Sequence, residues 1–260
     1  MSKIEFSMDN VSQVAVAPIN ADSTTKQGTG SNQLVFGGVI VSQKGKPFEV
    51  IPVTAANFLD KLGKPYHSSL GKLADGMRVL DEALRGGNGY VVRVVPKTAT
   101  YPAIKLTKPT DEVTITNEAI NYSADLSLED GEFLAIAIKD GAQSDNRSIT
   151  LAKADEATYG AGMFTLTLEE EQAAGGSVVL EEWVVSLEPT AVDQMGSAAF
   201  IETVLEERSQ YLTCRIDAEV AKREVTAIAK TKFTGATNGN ISDITAEDYQ
   251  KAVKALRTTV

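Results

Sequence analysis

Apolar positions along the chain repeat with two different periods, and the change of period marks its elements. Leu73, Met77, Leu80 and Leu84 follow one another at steps of four, three and four, which lays them on one stripe of a helix. Gly86 and Gly87 follow. Glycine takes the left-handed backbone that a helix C-cap needs, so both are predicted to stop that helix. Asn88-Gly89 then reads as a turn, and residues 90–95 as a buried strand broken only by Arg93. A guanidinium in such a run must be paired, so Arg93 is predicted to be structural, with an acidic partner in reach.

Residues 34–41 are nearly all apolar and predict a strand covered on both faces, with a turn at Gly45-Lys-Pro47 and a short strand at 48–53. Thr54 is placed to cap a helix over 55–62, with Phe58 and Leu62 inward and Gly63 as its stop. From about 99 to 132 the pieces are short and alternating, as at 112–116. This predicts a peripheral β-rich insertion, with the flanking runs 90–95 and 133–138 closing one sheet without it. Further strands are expected at 148–151, 163–168, 178–187 and 211–216. A helix over 197–207 turns Phe200, Ile201, Val204 and Leu205 inward and Glu202, Glu206 and Glu207 to water. Residues 217–231 are mixed and charged, without a clear period. Thr245 and Asp248 have capping-box spacing before a last helix that presents Tyr249, Val253 and Leu256.

The N-terminus has its own texture. Ile4, Phe6 and Met8 alternate with polar residues, as do Val14 and Val16, so this arm can form a strand that completes another sheet. Residues 20–33 are almost wholly polar and glycine-containing, a tether by composition. The fold class expected is mixed α/β: a sheet with helices packed on it, the peripheral β-rich insertion and the extended arm. Its domains are an arm and linker (1–33), an α/β domain (34–232) and the start of a further unit (233–260).

Charge narrows the function classes. At 260 residues and a net charge of −10, the chain would repel phosphate, so neither nucleic acid nor membrane insertion is expected. The single cysteine, Cys214, allows no intrachain disulfide and lies in a strand-like run as a small hydrophobe. The N-terminus has no signal-peptide pattern, which leaves the Asn-x-Ser matches at Asn10, Asn121, Asn146 and Asn240 little weight.

Candidate chemistry is thin. A phosphate cradle needs its glycines after a strand and before a helix, the reverse of their order at Gly86–Gly89. His67 has no second ligand nearby, and the 238–243 loop lacks the glycine and the final glutamate of a calcium loop. Glu169–Glu171 reads as a solvated tip, and Trp183 as core or interface. A small-molecule-binding α/β enzyme would need an acidic cleft near Glu181, Glu182 and Asp193. No catalytic residue, metal or cofactor is expected.

Several motifs nevertheless occur in a telling order: Val35-Phe-Gly-Gly38 with Gly45-Lys-Pro47, Phe58 with Leu62-Gly63, and the helix, glycine pair and Val-Arg-Val strand of 80–94. After them come Glu181 to Val185, Phe200 to Leu205, Ser209 to Leu212 and Thr234-Gly-Ala-Thr-Asn-Gly239. This ordered set resembles the tail sheath proteins of contractile bacteriophage tails and their pyocin relatives, over most of residues 34–257. Ala236 replaces the family's second loop glycine, and the Trp-Gly usual after the loop glycine is missing beyond Asp140-Gly-Ala-Gln-Ser-Asp-Asn, so the resemblance is to a distant branch.

The resemblance implies a structural protein rather than an enzyme, with other copies of itself as partners in six-fold rings stacked helically around a tail tube protein. Baseplate and tail terminator proteins are further implied partners, and the virion, assembled in the host cytoplasm, is the implied location. Contraction of such a sheath drives the tube through a cell envelope, and arms like that of Ile4 to Val16 tie neighbours together. Family members continue into a tube-facing domain, so the chain is expected to be a piece of a longer protein. Another tail or baseplate component is the alternative.

Overall fold

Two of the apolar runs meet side by side. Strand β1 (Leu34–Ile40) pairs parallel with β3 (Gly87–Arg93), and β2 (Val50–Val53) pairs antiparallel on the other side of β3. The structure, a computed structural model, describes residues 34–108, 112–172 and 174–259. Helix α2 (Lys72–Leu84) covers one face of this first sheet, burying Met77, Leu80 and Leu84 against Phe36, Ile40, Val53 and Val91. The short helix α1 (Phe58–Leu62) adds Phe58 and Leu62 to the same cluster. Burial of each such side chain stabilises by about 1.5–3 kcal/mol.

The other face is covered by helix α6 (Ala246–Thr259), whose Tyr249, Ala252 and Leu256 pack on Val39, Val92 and Val94. Its N-terminus closes as the spacing predicts. The Asp248 carboxylate accepts from the Thr245 N–H (2.9 Å) and hydroxyl (2.8 Å), while the Asp248 N–H reaches back to Thr245 Oγ1 (3.4 Å).

The glycine pair behaves differently from expectation. Neither Gly86 nor Gly87 takes a left-handed φ, and Gly87, Asn88 and Gly89 already belong to β3, in register with Leu34, Val35 and Phe36. Helix α2 runs out through Arg85 without a left-handed cap. The glycine that packing requires here is Gly89, where an added Cβ would fall within the Phe36 ring.

Two four-stranded sheets make up the rest. The second has the order β10 (Leu212–Ile216), β6 (Glu132–Ile138), β4 (Thr100–Thr107), β5 (Thr114–Asn121). The third has β11 (Ile228–Lys232), β7 (Arg147–Lys153), β8 (Met163–Glu171), β9 (Ser177–Ser186). All their ladders are antiparallel, and they share one core. Ile104, Leu106, Leu134, Ile136 and Ile138 of the second sheet belong to it with Ile149, Leu151, Leu166 and Leu168 of the third. Helix α4 (Ile201–Arg208) contributes Ile201, Val204 and Leu205 to that core. Two short helices, α3 (Glu156–Tyr159) and α5 (Ala218–Glu224), follow β7 and β10 in the chain, and Asp217 caps α5 by accepting from the Glu219 and Val220 N–H groups.

A mixed α/β fold is therefore what the chain adopts, but 99–132 is not a peripheral insertion. Strand β4 lies inside the second sheet, bonded to β5 and β6, with Tyr101, Ala103, Ile104 and Leu106 fully buried. Nor do the flanking runs close one sheet: β3 belongs to the first and β6 to the second. Pro102 and Lys105 hid the strand by breaking its apolar pattern. Lys105 is buried because Glu118 (2.5 Å) and Glu132 (3.1 Å) neutralise it on the sheet's outer face. Strand β5 alone is exposed along its length. Leu34–Val260 forms one compact unit, so the last helix joins the α/β body rather than a separate domain.

Candidate functional site: a buried polar node

The ends of elements from all three sheets converge on a cluster of charged and polar groups. Arg93 closes β3 with its side chain fully buried. Its Nε donates to the Ser42 carbonyl (3.0 Å), Nη1 to the Gly45 carbonyl (2.8 Å) and Nη2 to Asn238 Oδ1 (2.5 Å). The expected acidic partner is thus replaced by carbonyl oxygens, presented by the turn after β1 and by the loop before α6. Burial lowers the Arg93 pKa from its ordinary value, and the nearby Tyr122, Asp140 and Tyr66 partly offset this.

Asn238 binds in three directions. Its Oδ1 also accepts from the Ala142 N–H (3.1 Å), and its Nδ2 donates to the Gln43 carbonyl (3.2 Å). Between these groups lies Gly141, with φ +67°. A Cβ there would meet Gln43 O at 2.6 Å and Arg93 Nη2 at 2.8 Å, and would strike Asn238 Oδ1 as well.

Asp140 joins this cage to a second cation. One of its oxygens accepts from the Gly45 N–H (2.5 Å), and the other pairs with Arg147 Nη2 (2.6 Å). Arg147, at the start of β7, donates through Nε to Glu170 on β8 (2.9 Å), and its guanidinium stacks over the Tyr211 ring, 4.4 Å from the centroid. A shallow cleft above Asp140 and Tyr211 is lined by Gly45, Lys46, Lys61 and Ser209.

The other sequence candidates are dispersed. Glu181 accepts from the Ser209 hydroxyl (2.5 Å), the Gln210 N–H (2.7 Å) and Trp183 Nε1 (3.2 Å), which pins the turn between α4 and β10. Asp193 bonds the Met195 and Ser197 N–H groups of its own loop, and Glu182 is exposed, so these acids share no partner among the described residues. Of the Glu169–Glu171 run only Glu171 is exposed, so the expected solvated tip holds there alone. The run ends β8, and its members pair with Lys230, Arg147 and Lys232 respectively. His67 Nδ1 accepts from the Ser69 N–H (3.2 Å) and so caps one exposed turn.

Cys214 is buried in β10, where desolvation pushes its thiol pKa up, away from reactivity. No cluster of potential metal ligands occurs among the described residues. Ile4, Phe6, Met8, Val14 and Val16 lie outside them. The sequence marks Asp140, Arg147 and Asn238 only as loop residues, so none of the three is announced as part of a node. The one available signal was Asp140-Gly141, a carboxylate beside a glycine where a buried strand ends.

No protein-family model matches the chain, and no curated protein matches it in sequence. Among solved structures it is similar to a sheath tail protein from Desulfitobacterium hafniense, at 14% identity and a TM-score of 0.41, over 90% of this chain and 42% of that one. It is similar also to a sheath tail protein from Listeria innocua, at 14% identity and a TM-score of 0.43, over 92% of this chain and 40% of that one. The chain thus spans well under half the length of either.

Proposed function

We propose that this chain is a structural subunit of a contractile tail sheath, one that assembles with copies of itself around a tail tube. The observation that carries the proposal is where the motif residues meet. The Gly45-Lys-Pro47 turn, the arginine of the Val-Arg-Val strand and the Thr234–Gly239 loop are far apart in sequence, yet Arg93 bonds both Gly45 and Asn238. Likewise Glu181 holds Ser209 and Gln210. The residues that carry the family resemblance thus hold one another, as a framework does.

On this proposal the arm carrying Ile4, Phe6, Met8, Val14 and Val16 links copies by strand addition, with the tube, baseplate and terminator proteins as further partners in the virion. Contraction needs no nucleotide, and the chain acts without catalysis. Negative-stain microscopy of the purified protein across concentration tests the proposal. Rings or hollow cylinders are expected. Dispersed single particles at every concentration and salt level would overturn it.

A further inference from the structure

The strand β9 is followed by a tight loop that holds a large apolar side chain in open solvent. Met195 is 93% exposed, with Val192 at 59% and Tyr159 of α3 at 44%. This is not a loose loop. Val192 and Ala198 form an antiparallel bridge, the Gly196 N–H bonds the Asp193 carbonyl (3.0 Å), and the Asp193 carboxylate accepts from the Met195 (2.9 Å) and Ser197 (2.8 Å) N–H groups. Gln194 Nε2 ties the loop to the Thr158 carbonyl at the end of α3. Internal hydrogen bonds that rigidify a loop around an exposed methionine contribute nothing to burial. They do lower the entropy lost when that tip is docked.

A complementary surface exists on the same chain. The outward side of α6 has a shallow groove lined by Tyr249, Gln250, Val253, Lys254 and Arg257, with Val253 44% exposed. This lining presents the exposed Arg257 and no acid, on a chain whose net charge is −10. Copies of so acidic a protein repel on average, so contact between them is favoured where a local cationic patch meets acids. The exposed carboxylates of Asp155 and Glu156 lie on and beside α3, the helix whose Thr158 carbonyl Gln194 holds.

We infer that the Met195 tip of one copy seats in the α6 groove of the next, with Met195 and Val192 against Val253 and Tyr249, and with Asp155 and Glu156 facing Arg257. This rests on the chain being a self-assembling subunit. Tip and groove are different patches, so the contact is heterologous. It propagates from copy to copy instead of closing a pair, which is what a helical array needs.

Crosslinking tests the contact. Met195→Cys and Val253→Cys variants of the whole chain are treated with a short bis-maleimide, separately and mixed; Cys214 is buried and serves as the silent background. A crosslinked dimer is expected in the mixture, at about tenfold the yield of either variant alone, as a heterologous contact requires. A second variant, Met195→Asp, should keep the wild-type melting temperature, because the side chain is in water. Its self-association, read by sedimentation, should weaken about tenfold. Association without the 195–253 crosslink, or with equal crosslinking in each variant alone, would overturn the contact and leave the assembly proposal standing. A chain that stays monomeric throughout would overturn both.

Discussion

Arg93 and Arg147 are both buried to within 2% of full burial, and the chain holds them in opposite ways. Arg93, on the first-sheet side of the node, is held by two backbone carbonyls and an amide oxygen, all neutral. Arg147, on the side of the two-sheet sandwich, is held by Asp140 and Glu170 with Tyr211 across its face. A cation among carbonyls depends on geometry, because each acceptor must be delivered by a turn of the right shape. A cation between carboxylates depends on charge, because each partner is costly to bury alone. Asp140 connects the two, since it pairs with Arg147 and also fixes the Gly45 turn that feeds a carbonyl to Arg93.

This contrast is most exposed to failure at the arginines themselves. Arg147→Met should be the most destabilising substitution in the node, at about 3–5 kcal/mol, because it leaves Asp140 and Glu170 with an uncompensated buried charge. Arg93→Met leaves only neutral acceptors behind, and its expected cost is lower, about 2–3 kcal/mol. Urea unfolding of the two variants gives the order directly. If Arg93→Met proved the more costly, the division into a geometric and an ionic half would be wrong.

The same contrast explains which parts of the molecule were legible in the sequence. The stripe Leu73, Met77, Leu80 and Leu84 and the Thr245–Asp248 cap are local, and local spacing announced both. Arg93 announced itself by interrupting an apolar strand, and the need for partners followed. Their kind did not, because two of them are backbone carbonyls, and the third comes from Asn238, 145 residues along the chain. Strand β4 was misjudged because Lys105 reads as solvent-facing until Glu118 and Glu132 are placed beside it. Glu169 and Glu170 are hidden from a local reading for the same reason, since their cations arrive from β11 and β7. Charge that is neutralised across strands leaves no trace in a local pattern.

A smaller effect sharpens the geometric half. Gly141→Ala changes no charge, but it places a Cβ among Gln43 O, Asn238 Oδ1 and Arg93 Nη2 at a left-handed φ. The expected cost is about 2–3 kcal/mol, from backbone strain and overpacking together. In an Arg93→Met background one of the three obstructing groups is gone, so the penalty should fall by about 1 kcal/mol or more. Strict additivity of the two substitutions in urea unfolding would mean that Gly141 is not reserved for the Arg93 cage.

The smallest effect at neutral pH separates the tyrosines that Arg93 influences from one that it does not. Burial raises the pKa of Tyr66 and Tyr122, and the Arg93 charge pulls both back down. Tyr101 lies on the outer face of the second sheet and is pushed up to about 12, by burial first, with Asp125, Tyr122 and Glu118 adding to it. A phenol whose pKa is higher folded than unfolded loses its proton first in the unfolded chain. The stability it contributes is therefore complete below the unfolded value near 10 and is lost as pH rises toward 12. Tyr101→Phe should cost about 1 kcal/mol at pH 7, for the hydrogen bond to the Ala124 carbonyl, and should make the alkaline fall in stability shallower. Arg93→Met should act oppositely on that limb: with the cation gone, Tyr66 and Tyr122 ionise later in the folded state, and stability falls more steeply above pH 10. Melting temperatures from pH 8 to 12 for the three proteins decide the matter. An Arg93→Met limb parallel to that of the wild type would show that the guanidinium's charge does not reach the tyrosines, and that its role in the node is geometric alone.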